Sequence, residues 1–179
     1  MESEKDLIIR AMEMLRDVTP LKSDCGDICG AACCREPEDD SITGMALFPG
    51  EEQLYCAKTD WYKLYYDYKG KNPVLVCKGE CPREQRPLAC RIFPLTPYSK
   101  DGNLSVRIDA RAAAMCPLYE HGKKGLSAQF VKAVEEAAVV LWQSDKLRMF
   151  IEDTSRQIDA QSGIYELLSR MSGKTEEKR

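Results

Sequence analysis

The chain has 179 residues, enough for one domain with a hydrophobic core of its own. Its net charge of -3 comes from 26 basic and 29 acidic residues dispersed along the chain, without the clustered basic surplus that neutralises nucleic-acid phosphates, so nucleic acid is not expected as a partner. The opening MESEKDLIIRAMEMLRD is charged from Glu2 onward, and no segment approaches the roughly 18 apolar residues of a membrane span, so a cytoplasmic protein without membrane association is expected.

Leu7, Ile8, Ala11, Met14, Leu15 and Val18 recur at the helical period behind Ser3, with Asp6 three residues on, which predicts a capped amphipathic helix ended by Thr19-Pro20. From Leu21 to about Glu120 the pattern breaks into short pieces, and eight of the nine prolines and all nine cysteines fall there. Within that stretch residues 61–68 read as a short helix or strand. Residues 73–76 and 104–108 read as short strands, the latter following an Asp101-Gly102-Asn103 turn.

The helical period returns at Ser127, with Phe130, Val134, Ala137 and Leu141 on one face and Glu135 and Glu136 on another. Ser144-Asp145 opens a second helix through Leu147, Phe150, Ile151 and Ile158. Ser162 caps an expected third, carrying Ile164, Leu167, Leu168 and Met171, before a flexible tail over 173–179. The expected fold is mainly α, with an irregular cysteine-rich metal-binding subregion over 21–120 and at most a small β element. It is one α+β domain, bounded by an N-terminal helix over 1–20 and C-terminal helices over 126–172.

The cysteines carry the chemistry. Cys25, Cys29, Cys33 and Cys34 form a C-x3-C-x3-C-C run, in which Gly26 and Gly30 weaken a helix and favour close backbone approach, so helix and tight loop are both open. A second set runs Cys77-Lys-Gly-Glu-Cys81-Pro82, then Arg86-Pro87-Leu-Ala-Cys90-Arg91-Ile-Phe93-Pro94, then Cys116-Pro117. That makes two groups of four in chain order. In a reducing cytosol such thiols are not expected to form disulfides. Cysteines a few residues apart bring both sulfurs to one ion at about 2.3 Å, and four thiolates complete the tetrahedron of zinc or serve iron or an iron-sulfur cluster. Lys78, Arg86 and Arg91 read either as offsetting the surplus negative charge of four thiolates or as solvated surface cations. Cys56 stands apart as a buried or free thiol, and His121 reads as an exposed loop residue. Trp61, Tyr65 and Tyr66 read as core, with a substrate or partner surface as the alternative.

These residues resemble the YkgJ-type cysteine-cluster family, the CxxCxxCC proteins described as zinc- or iron-chelating domains. The likeness lies in Cys25, Cys29, Cys33 and Cys34 followed by Cys77, Cys81, Arg86, Pro87, Cys90, Arg91, Phe93, Pro94 and Cys116, and covers about half the chain. This sequence has three residues rather than two inside its N-terminal gaps. The resemblance implies metal chelation. A metal-binding protein holding zinc or iron is therefore expected, its helices presenting a surface to a partner protein or second subunit. The alternative is an iron-sulfur enzyme or electron-transfer protein. No phosphate loop, Ser/His/Asp motif or paired histidines point to other chemistry.

Overall fold

The computed structural model describes residues 2–22, 25–34, 44–56, 59–66, 73–78 and 81–176, leaving aside the side chains of Asp27 and of residues 164–176. Helix α1, Glu4–Met14, begins as its sequence dictates: the Ser3 hydroxyl accepts from the Asp6 N–H while the Asp6 carboxylate accepts from the Ser3 N–H, a reciprocal capping box. It stops at Met14, ahead of the Thr19-Pro20 signal. Short helix α2, Gly26–Cys29, lies in the first cysteine run. Strands β1 (Met45–Ala46), β2 (Tyr62–Tyr65) and β3 (Val74–Cys77) form an antiparallel sheet in the order β1-β3-β2. Helix α3, Leu88–Ile92, leads into strands β4 (Leu95–Lys100) and β5 (Asn103–Ile108), which pair as a hairpin. Helices α4 (Ala128–Leu141) and α5 (Asp145–Glu176) complete the described chain.

The expectation of at most a small β element is overturned, because five strands in two separate antiparallel sheets make this an α+β fold whose cysteine-rich middle is not simply irregular. Strand β4 escaped notice because Pro97 interrupts its reading. Pro97 shares the side of the strand on which the Ser99 N–H turns away from β5 to donate to the Ser155 hydroxyl of α5 at 2.9 Å. A residue without an N–H costs the hairpin nothing at that position. The expected third C-terminal helix is also corrected, since α5 runs unbroken through Ser162 and Gly163 to Glu176. A serine and a glycine weigh only about 1 kcal/mol against a helix interior, too little to stop one by themselves. The expected tail thus begins inside α5, and residues 177–179 lie outside the described residues.

The main core is built where the periodicity placed it. Leu7, Ile8 and Leu15 of the α1 segment meet Phe130, Val134 and Leu141 of α4, and Leu147 and Ile151 of α5 close the layer. Leu88 and Ile92 of α3 and Leu95 and Val106 of the hairpin belong to this same cluster. A smaller cluster of Leu47, Tyr55, Tyr62 and Leu75 supports the three-stranded sheet. The hairpin is pinned to α5 by the Tyr98 hydroxyl, which donates to Asp159, while Arg107 lies over the Tyr98 ring at 3.7 Å. Among the described residues no helix is long and apolar enough to cross a membrane.

Phe130 is fully buried at the centre of the helical layer. Replacing it with alanine should cost about 3–5 kcal/mol of unfolding free energy, measured by denaturant titration. A loss below about 1 kcal/mol would mean that the layer is not close-packed there.

Candidate metal centre

Each cysteine of the two runs is delivered by a short, tightly turned element. Cys25 stands at the start of α2 and Cys29 ends it, its sulfur 3.6 Å from the Cys25 carbonyl oxygen. Gly30 then takes φ 60°, a left-handed conformation glycine adopts without penalty, and Ala31 follows at φ 52°. This reversal feeds a 3₁₀ turn, Ala32–Cys34, so the first run is both helix and tight turn. Cys77 ends β3 opposite Tyr62 of β2. Cys81 precedes the turn Arg83–Gln85, Cys90 sits inside α3, and Cys116 opens the turn Pro117–Tyr119.

These elements come together. Cys25, Cys29, Cys33, Cys34, Cys77, Cys81, Cys90 and Cys116 all line one cavity of about 190 Å³. Cys56 does not: it is exposed, with its sulfur near the carbonyls of Glu52 and Gln53. His121 and Lys78 are also exposed and outside the lining, whereas Trp61, Arg86 and Arg91 belong to it. Tyr65 and Tyr66 are exposed rather than core. Among the described residues no three His, Cys, Asp or Glu side chains are drawn to the separation one ion requires. The thiols ring the space without meeting at a point.

Burial and mutual charge shape the sulfurs. Cys90 is pushed far above the ordinary thiol range, first by burial and then by Cys34, Cys81 and Cys77. Cys81 is raised by burial, with Cys34 and Cys77 adding to the rise, while a hydrogen bond and the charge of Arg86 pull it down. Cys33 is raised by its contact with the Cys34 sulfur, 3.9 Å away, then by burial and by Cys25 and Cys29. Although Cys33 as a residue is exposed, its sulfur is partly desolvated. Cys116 is raised by burial and by Cys29, against lowering hydrogen bonds from the backbone N–H groups of Leu118 and Tyr119. Crowded, partly buried thiols of this kind resist ionisation until a cation joins them.

Guanidinium groups flank one part of the wall. Arg83 donates to the Arg16 and Val18 carbonyls, tying the segment after α1 to the cavity. Arg91 donates to the carbonyls of Arg86, Met12 and Glu84. Arg86 is the guanidinium that hydrogen-bonds a sulfur, that of Cys81. Arg111 also lines the cavity, but its guanidinium is held by both oxygens of the buried Asp109 carboxylate. Searches against protein-family models, curated proteins and solved structures each found no match to this chain.

Two positions carried no sequence signal. Arg83 is distinguished only by its bonds to the carbonyls of residues 16 and 18, which no local pattern announces. Glu51 is wholly buried, and its two carboxyl oxygens accept from the backbone N–H of Phe48 at 2.9 Å and of Leu88 at 2.6 Å. It thereby fixes the start of α3, two residues before Cys90. Burial lifts its pKa to about 7, against lowering by the Leu88 and Phe48 N–H groups and by Arg91. Between the ordinary value of 4.5 and about 7 the folded chain keeps a proton that the unfolded chain has released, so stability from this group falls as pH rises through that window. Glu51→Gln offers one acceptor and an amide N–H where two N–H groups converge, and should cost about 1–3 kcal/mol. The advantage of the natural chain over this variant should shrink as pH rises through the window in parallel denaturant titrations. An advantage that grew with pH would show the folded chain favouring the ionised carboxylate.

Proposed function

We propose that this is a metal-binding protein that holds zinc or iron through cysteine thiolates, in keeping with the YkgJ-type resemblance of its cysteine runs. The observation that carries the reading is selective convergence: eight cysteines from separate turns, strands and helices line one cavity, and the ninth lies elsewhere. The wall also carries apolar side chains such as Leu15, Leu75 and Phe93, but Arg83, Arg86 and Arg91 stand in it with the thiols, and positive charge there suits a thiolate-bound metal. The ligands are Cys25, Cys29, Cys33, Cys34, Cys77, Cys81, Cys90 and Cys116. A bound metal supplies folding free energy to a region whose strands are short and whose own hydrophobic cluster is small.

A second reading, an iron-sulfur centre serving an enzyme or electron carrier, draws support from the space itself. About 190 Å³ among thiols that do not touch one point exceeds what a single ion fills, and inorganic sulfide would span such a gap.

Protein purified without air should contain zinc or iron in stoichiometric amount by elemental analysis, with broad visible absorption if the metal is an iron-sulfur cluster. Cys81→Ser and Cys90→Ser should each reduce the bound metal markedly, and Cys56→Ser should leave it unchanged. Equal losses in all three, or a natural protein that carries no metal and takes none up, would refute the assignment.

A further inference from the structure

The sulfurs share one cavity of about 190 Å³ but do not yet share an ion. Cys33 and Cys34 place their sulfurs 3.9 Å apart, near the roughly 3.8 Å edge of a tetrahedron whose corners lie about 2.3 Å from its centre. Among the described residues no three His, Cys, Asp or Glu side chains gather in this way. Sulfurs facing one another across the cavity therefore have to approach before they enclose an ion, and the two walls are unequally free to move.

One wall is held from several directions. Leu88 and Ile92 of α3 lie in the main core, and the wholly buried Glu51 carboxylate takes the Leu88 N–H at 2.6 Å. Arg91 donates to the carbonyls of Met12, Glu84 and Arg86. Shifting this wall breaks buried hydrogen bonds and opens a close-packed core. Residues 25–34 are different. They bring Cys25, Cys29, Cys33 and Cys34, yet none of the side chains described there is buried and none belongs to either hydrophobic cluster. The N–H groups of Ile28, Ala31 and Cys34 donate to the carbonyls of Cys25, Gly26 and Ala31, which lets α2 and the turn behind it shift as one piece.

Ile28 gives this piece a further reason to close. It lines the cavity from α2, between Cys25 and Cys29, and still leaves 62% of its surface to solvent. A closer approach of residues 25–34 to the held wall takes that apolar surface out of water.

Resting on the reading of the cavity as a metal centre, we propose that residues 25–34 are a strap that closes over the cavity as metal binds. Its thiols are drawn toward those of the held wall, and Ile28 is covered in the same movement. Loss of the metal lets the strap reopen, so the exposure of Ile28 follows the occupancy of the site.

The test uses the natural chain, stripped of metal under reducing, anaerobic conditions and compared with and without saturating Zn(II). Amide hydrogen exchange across 25–34 should slow about 10-fold or more with zinc, while exchange across 88–92 changes far less. Bound zinc without slowing at 25–34, or with the larger slowing at 88–92, would overturn the proposal. Ile28 separates closure from ligation, because it has no group that a metal takes. Ile28→Ser should weaken zinc about 10-fold or more and leave denaturant unfolding of the metal-free chain unchanged, whereas Ile28→Leu should keep the natural affinity. Unchanged affinity in Ile28→Ser, or equal losses in both variants, would mean that no apolar burial accompanies binding. A metal-free chain destabilised by Ile28→Ser would mean that Ile28 is packed beforehand, and any of these results overturns the strap. A natural chain that takes up no zinc would instead remove the metal-centre reading, and the strap with it.

Discussion

One short helix has to satisfy two environments at once. The five residues Leu88–Ile92 turn Leu88 and Ile92 into the main hydrophobic core against α1 and the hairpin, and present Cys90 and Arg91 to the sulfur-lined cavity. Such a brief helix cannot hold that orientation through its own hydrogen bonds, since nucleating a single turn is unfavourable in isolation. Its position is set from outside. The buried Glu51 carboxylate receives the Leu88 N–H at one end, and Arg91 ties the other end to carbonyls of Met12, Glu84 and Arg86. Through these bonds the helical layer, the Phe48–Glu51 turn and the Cys81–Arg86 segment are set relative to one another.

The cavity inherits its character from that arrangement. On its core side it is bounded by elements whose place is fixed by apolar burial, and on the opposite side by turns whose place is fixed by few contacts of their own. Ionising thiols crowded into such a space costs desolvation and mutual repulsion, so the neutral form is favoured. A cation relieves both costs together. The Arg86 guanidinium does so in part at Cys81, whose sulfur it hydrogen-bonds.

The helices were legible because burial at the 3.6-residue period is a local signal: Ser3 with Asp6, and Phe130 with Val134, Ala137 and Leu141, stand where their spacing places them. Strands β3 and β5 announced themselves through β-branched residues and a turn, but β4 did not, because the harmlessness of Pro97 depends on α5 lying beside the hairpin. The eight cysteines read from the two runs line one cavity, and Cys56 lies outside its lining. Glu51, one acid in a polar turn, became visible only when the partners of its two oxygens were known.

X-ray absorption at the metal edge, on protein prepared without air, tests the central claim of thiolate coordination most directly. An inner shell made of sulfur alone, at about 2.3 Å, is the predicted result. A shell dominated by nitrogen or oxygen at about 2.0–2.1 Å would place the metal on other side chains and contradict it.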